Sequence, residues 1–145
     1  MKKRGILKAI AIITLVAMMG GCTAGGASEE KKIVIGINQL VEHPALDDAR
    51  EGFIQGLEEM GVEAEIVYQN AQGDIPTSLS RAQKFVSDKV DLIYAIATPA
   101  AQSSKQATSE IPVLFSAVTD PVASGLISSM ERPGGNVTGT SDATP

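Results

Sequence analysis

A chain of 145 residues is long enough for one domain of ordinary size. It has 3% aromatic residues, no tryptophan, one cysteine and one histidine, and a formal net charge of −5. Four of its 12 basic residues precede Cys22 and all 17 acidic ones follow it, so the part after the cysteine carries −9, which makes a poor partner for nucleic acid and leaves no aromatic platform for stacking bases or sugars.

Lys2, Lys3, Arg4 and Lys8 form a basic start, followed by an apolar run from Ala9 to Met19 and by Gly20-Gly21-Cys22. Basic, apolar and small residues in that order are the pattern of a secretory signal. The run is short of the roughly 20 residues that a membrane-spanning helix needs. Met19-Gly20-Gly21-Cys22 resembles a bacterial lipobox, with Met19 where leucine is usual. The resemblance implies a signal peptide over residues 1–21 and an acyl chain on Cys22 that anchors the protein to the bacterial cell membrane, outside the cytoplasm. An exported chain with one cysteine has no internal disulfide to make. Residues 22–32 are small, polar and charged, the composition of a flexible tether.

Ile33 to Ile37 is a β-branched run suited to a strand buried on both faces. From Pro44 to Met60, Leu46, Ala49, Phe53, Leu57 and Met60 recur at steps of three and four, opposite Asp47, Asp48, Glu51, Glu58 and Glu59. That is an amphipathic helix, and Gly61 stops it. Gly52 and Gly56 each lower helix propensity by about 1 kcal/mol against alanine, which close packing on a sheet would explain. Glu63 to Gln69 is a second strand, polar enough at its start for a sheet edge. Asp74 is placed to cap a helix from Ile75 to Asp88, with Ile75, Leu79, Ala82, Phe85 and Val86 inward. Asp91 to Ala97 is the most apolar strand and hence central. A third helix over Pro99 to Thr108, a fourth strand over Pro112 to Ala117 and a fourth helix over Pro121 to Met130 follow. Asn136 to Thr138 is a short fifth strand after the Pro133-Gly134-Gly135 turn. The alternation predicts an α/β fold with parallel pairing and right-handed crossovers. Its form is a doubly wound parallel sheet in the flavodoxin-like order 2-1-3-4-5.

Three of the strands end alike. Polar residues lead to Pro44, Pro99 and Pro121, each at a first helical position where its missing N–H costs nothing. Thr98 and Asp120 are suitable N-caps. The carboxyl ends of parallel strands share one edge, so the three loops and their helix N-termini converge there. Free N–H groups at such ends attract anions, and open α/β sheets bind ligands in that crevice. The edge therefore suits a small molecule bearing a carboxylate or another acceptor. His43 reads as a cap or loop residue, because no serine or cysteine nucleophile motif accompanies it. Thr98 and Asp120 stand between cap and ligand contact, and Asn38 and Gln39 between turn closure and ligand contact. No dinucleotide, P-loop, nucleophile-elbow or zincin motif is present. One histidine and one acylated cysteine leave no His/Cys metal site; a site of carboxylates alone stays open. No catalytic residue and no cofactor are expected.

Six stretches carry a family resemblance: Gln39 to Asp47 (QLVEHPALD), Phe85 to Ile93 (FVSDKVDLI), Ala97 to Gln102 (ATPAAQ), Val118 to Val122 (VTDPV), Pro133 to Gly139 (PGGNVTG) and Ser141-Asp142. Together they resemble the substrate-binding lipoproteins of ABC importers, a family with tryptophan-binding members. The resemblance implies a type I periplasmic-binding fold of two α/β lobes closing on a ligand. Residues 33–142 would be the N-terminal lobe and 143–145 a truncated hinge region. It also implies an amino-acid ligand, aromatic in the characterised relatives, and permease and ATPase partners. By the same resemblance Gln39, Glu42, His43, Thr98, Ala100, Ala101, Thr119 and Asp120 face the ligand, and Ser141 and Asp142 lie near the crossover to the second lobe. Asn38, at the same strand end as Gln39, is counted with them. Relatives continue into a second lobe of comparable size, so a fragment that binds poorly alone is expected. A ligand-sensing extracytoplasmic module for a signalling receptor would use the same fold; a neighbouring permease and ATPase gene, or a sensor kinase gene, separates the two.

Overall fold

Period-two alternation along the strands decides which helix covers which face. The computed structural model describes residues 32–142, which places the signal peptide, Cys22, all of the tether but Lys32, and residues 143–145 outside the described residues. The elements are β1 (Ile33–Gln39), α1 (Pro44–Glu59), β2 (Ala64–Asn70), α2 (Ile75–Ser87), β3 (Leu92–Ile96), α3 (Thr98–Ala107), β4 (Val113–Val118) and β5 (Val137–Ser141). All pair in parallel in one sheet of order β2-β1-β3-β4-β5. The expected order, the polar edge strand and the central third strand are all present.

One face of the sheet buries Ile35, Ile37, Tyr94 and Ile96 beneath Leu46, Ala49, Phe53, Ile54 and Leu57 of α1. The other buries Ile93, Ala95, Val113, Phe115 and Val137 with Phe85 of α2 and Ala101 of α3. Each fully buried Ile or Phe contributes about 1.5–3 kcal/mol of transfer free energy, so the two apolar faces specify register as well as stability. Close approach to the sheet occurs at Gly36, where a Cβ would stand 2.7 Å from the Phe85 ring.

Several expectations need correction. Gly52 and Gly56 have open space where a Cβ would be; they do not bring α1 close to the sheet. Met60 and Ile75 are 72% and 56% exposed, because each lies at a helix end beyond the reach of the sheet. Residues 121–130 form successive turns and no helix. Gly125 takes φ 70, and α3 intercepts the carbonyls that a helix would use: Gln102 Nε2 donates to Ser124 O at 3.0 Å, and Lys105 Nζ to Gly125 O at 2.6 Å and Leu126 O at 3.1 Å. Leu126 and Ile127 still plug the core. β5 runs to Ser141, three residues past its expected end.

Candidate ligand-binding edge

Four loop starts are stitched into one rim by hydrogen bonds between neighbouring strand ends. Leu40 N donates to Ile96 O (3.3 Å), Ala97 N to Ser116 O (3.0 Å), Asp142 N to Val118 O (3.1 Å), and Ser141 Oγ to Thr119 O (2.9 Å). The loop after β1, the start of α3, the turn after β4 and the end of β5 therefore adjoin along the carboxyl edge. Thr98 and Asp120 share that edge.

The ends of α1 and α2 and the turn after β4 carry their own caps. His43 Nδ1 accepts from Ala45 N at 3.3 Å, so His43 is the N-cap of α1. Asp74 Oδ2 accepts from Thr77 N at 2.8 Å. Asp120 Oδ1 accepts from Ala123 N at 2.8 Å, capping the turn that replaces the fourth helix. At α3 the cap position is Ala97 and no side chain caps the helix. Thr98 is the first helical residue, a correction to its reading as N-cap. The first-turn amides of α3, Thr98 and Ala100, have no acceptor among the described residues, and a helix start left open in this way favours an anion.

Four expected contacts have side chains closed off from solvent. Asn38 and Gln39 are wholly buried, as are the side chains of Ala100 and Ala101. Asn38 Nδ2 donates to Ser78 O and Ser104 Oγ, both at 3.2 Å, and its Oδ1 accepts from Ser78 Oγ at 3.3 Å. This fastens α2 and α3 to β1, and a buried amide needs those partners. Gln39 is likewise spent on protein partners. Glu42, His43, Thr119, Asp120 and Asp142 are exposed, and Thr98 and Ser141 half-buried. Three carboxylates, those of Glu42, Asp120 and Asp142, thus stand on the rim that holds the open start of α3.

Two functional candidates carry no sequence signal. Ala97 adopts φ 82, ψ 152 and Ala117 φ 54, backbone regions that cost a non-glycine residue about 1–3 kcal/mol and cluster at ligand sites. Ala117 sits where the β4–β5 register shifts, between Phe115 and Val118. Nothing in an alanine's identity announces a positive φ.

A concavity of about 410 Å³ lies at the other rim, lined by Lys32, Glu58, Gly61, Val62, Glu63 and Ala64. It faces the carboxyl end of α1, whose partial negative charge, with Glu58 and Glu63, opposes a carboxylate. Among the described residues no group of three His, Cys, Asp or Glu side chains could hold a metal, and no helix is long and apolar enough to cross a membrane.

Residues 34–145 match the family described as ABC transporter substrate binding protein. The chain belongs to this family. Its lobe has the sheet order of one lobe of a type I periplasmic-binding protein. This ABC transporter substrate binding protein is 52% identical over 147 residues to a tyrosine-binding protein of Clostridioides difficile (strain R20291), across 92% of this chain and 43% of that one. It superposes with a TM-score of 0.76 and 55% identity on the ligand-free, open structure of a Clostridium difficile substrate binding protein with adhesive properties, covering 77% of this chain and 39% of that one. A Streptococcus pneumonia ABC domain in complex with L-Trp matches with a TM-score of 0.75 and 39% identity, covering 77% and 39%. The ABC transporter substrate binding protein described here thus spans less than half the length of the relatives it matches.

Proposed function

We propose that these residues form one wall of an inter-lobe cleft that captures an amino acid, aromatic in side chain, for delivery to the permease and ATPase of an ABC importer. Capture takes place outside the cytoplasm, and an acyl chain on Cys22, exposed by removal of residues 1–21, holds the protein to the membrane. The observation that carries this reading is the pairing, on one rim, of the uncapped start of α3 with the carboxylates of Glu42, Asp120 and Asp142. The open amides suit an α-carboxylate and the carboxylates suit an α-ammonium group. Glu42, His43, Thr98, Thr119, Asp120, Ser141 and Asp142 are the residues proposed to line the wall. The aromatic preference is supported by the tyrosine-binding relative and the L-Trp complex, since none of the residues proposed to line the wall is a phenylalanine, tyrosine or tryptophan.

Amide chemical-shift mapping with millimolar L-tyrosine, L-tryptophan or L-leucine tests the reading. Shifts should gather at Glu42–Ala45, Thr98–Ala101, Thr119–Asp120 and Ser141–Asp142 and be larger for the aromatic amino acids. No shift at millimolar solute, or shifts gathered at the Lys32–Glu58 concavity, would refute it.

A further inference from the structure

Gln39 ends β1 with a side chain that no solvent reaches. Its Nε2 donates to Val41 O and to Asp47 Oδ1, both at 2.8 Å, and its Oε1 accepts from Arg50 Nη1 at 2.9 Å. Arg50 Nη1 also reaches Asp47 Oδ1 at 3.0 Å, and its guanidinium carbon lies 4.6 Å from the Tyr68 ring centroid on β2. A guanidinium only donates and an ionised carboxylate only accepts. Arg50 therefore selects the oxygen of the Gln39 amide and Asp47 selects its nitrogen, and both demand the same orientation. That orientation aims the remaining N–H at the Val41 carbonyl, in the middle of the loop between β1 and α1. The main chain adds two ties here: Ala71 N donates to Gln39 O at 2.9 Å, and Gly73 N to Leu40 O at 2.7 Å.

We infer that Gln39 is the positioning residue of the 40–43 loop: Arg50 and Asp47 lock its amide, and the locked amide sets the path that presents Glu42 and His43 to the cleft. The inference rests on the proposed function for what the loop is positioned to do, but not for the lock itself. Gln39 touches no ligand; it acts through Val41.

Native-state hydrogen exchange of the full chain tests this. The readout is the amides of Leu40, Leu46 and Asp47, which are bonded to Ile96 O and His43 O at the two ends of the loop. Gln39→Met keeps the length of the side chain and removes every polar atom. Losing three hydrogen bonds, two of them charge-assisted, should speed exchange of these three amides at least about tenfold. Ile93, in the neighbouring β3, should exchange as before. Arg50→Gln, at a partly exposed position, removes one of the two groups that lock the amide and should give a smaller rise at the same three amides. It also decides the matter if Gln39→Met does not fold. Unchanged exchange at the loop, or an equal rise throughout the sheet, overturns the inference, since a merely space-filling Gln39 would give one or the other. L-tyrosine-induced shifts at Glu42 and His43 should shrink in both variants. Their absence from the wild-type chain would count against the proposed function while exchange still decides the lock.

Discussion

The amide of Ala97 donates to the carbonyl of Ser116 at 3.0 Å, which sets Ala97 (φ 82) beside Ala117 (φ 54), the residue after that carbonyl. Two adjoining strand ends thus turn through conformations that only glycine adopts freely. The turn at Ala97 starts α3 with Thr98 as its first residue and leaves no side chain to cap it. Ala97→Gly should relieve about 1–3 kcal/mol of strain and give back about 1 kcal/mol through the freer unfolded chain, for a net gain near 1 kcal/mol. Ala97→Val should lose stability, since a β-branched residue tolerates this φ still less. Urea unfolding of the three proteins checks the order Gly above Ala above Val, and the reverse order would show that the backbone is not strained there.

The glycines divide into two groups of opposite sign. A Cβ on Gly36 would stand 2.7 Å from the Phe85 ring, so Gly36→Ala must displace a buried aromatic and should cost about 1–3 kcal/mol. Gly139 is tighter, with the Phe115 carbonyl oxygen and ring both in the way, and Gly139→Ala should cost at least as much because backbone must move. Gly52→Ala and Gly56→Ala meet nothing and should each stabilise α1 by up to about 1 kcal/mol. Thermal melting of the four variants measures the split.

The division between what could and could not be read from sequence follows from which interactions are periodic. Strand order was legible because continuous apolar runs, Ile33 to Ile37 and Leu92 to Ala97 among them, alternate with segments such as the one in which Leu46, Ala49, Phe53 and Leu57 repeat at three and four. Alternating elements of these kinds have few ways to pair. The carboxyl edge followed from parallel pairing alone. The missing fourth helix was not legible, since Lys105 and Gln102 reach across from another element to take its carbonyls. Nor was the inward turn of Asn38 and Gln39. A polar residue at a strand end reads as exposed unless its partners are known, and here they lie up to 66 residues away in sequence. The strain at Ala97 belongs to the backbone and leaves no mark on residue type.

Acid should loosen α2 first at its start. The Thr77 hydroxyl and then the Thr77 amide, bonded at 2.8 Å, hold the Asp74 carboxyl below the usual aspartate range. A lowered folded-state value means that the cap contributes fully above the unfolded aspartate value and is lost as pH falls through the folded one. Exchange of the Thr77 and Ser78 amides should therefore rise in that acidic window beyond its intrinsic pH dependence. Asp74→Asn keeps an acceptor at the cap and cannot titrate, so its Thr77 and Ser78 amides should show no such step. A step that persists in Asp74→Asn would assign the loosening to another group.

Tyr94 supplies the alkaline counterpart. Its hydroxyl shares a 2.6 Å hydrogen bond with Ser116 Oγ and donates to Ala49 O at 3.3 Å, beneath a Phe53 ring stacked 4.1 Å away. Burial pushes the phenol above the ordinary tyrosine value, and the bond to Ser116 offsets only part of that rise. The folded lobe then holds this proton more tightly than the unfolded chain does. Stability should be undiminished below the ordinary tyrosine value and fall as pH climbs from there through the raised one. Tyr94→Phe keeps the ring and its stacking but strands the Ser116 hydroxyl and the Ala49 carbonyl, at a cost of about 1–2 kcal/mol near neutral pH. The variant should also lose the part of the alkaline decline that belongs to this phenol. The two curves of stability against pH therefore converge as pH rises. Curves that stay parallel would show that Tyr94 is no more reluctant to ionise in the lobe than in the open chain.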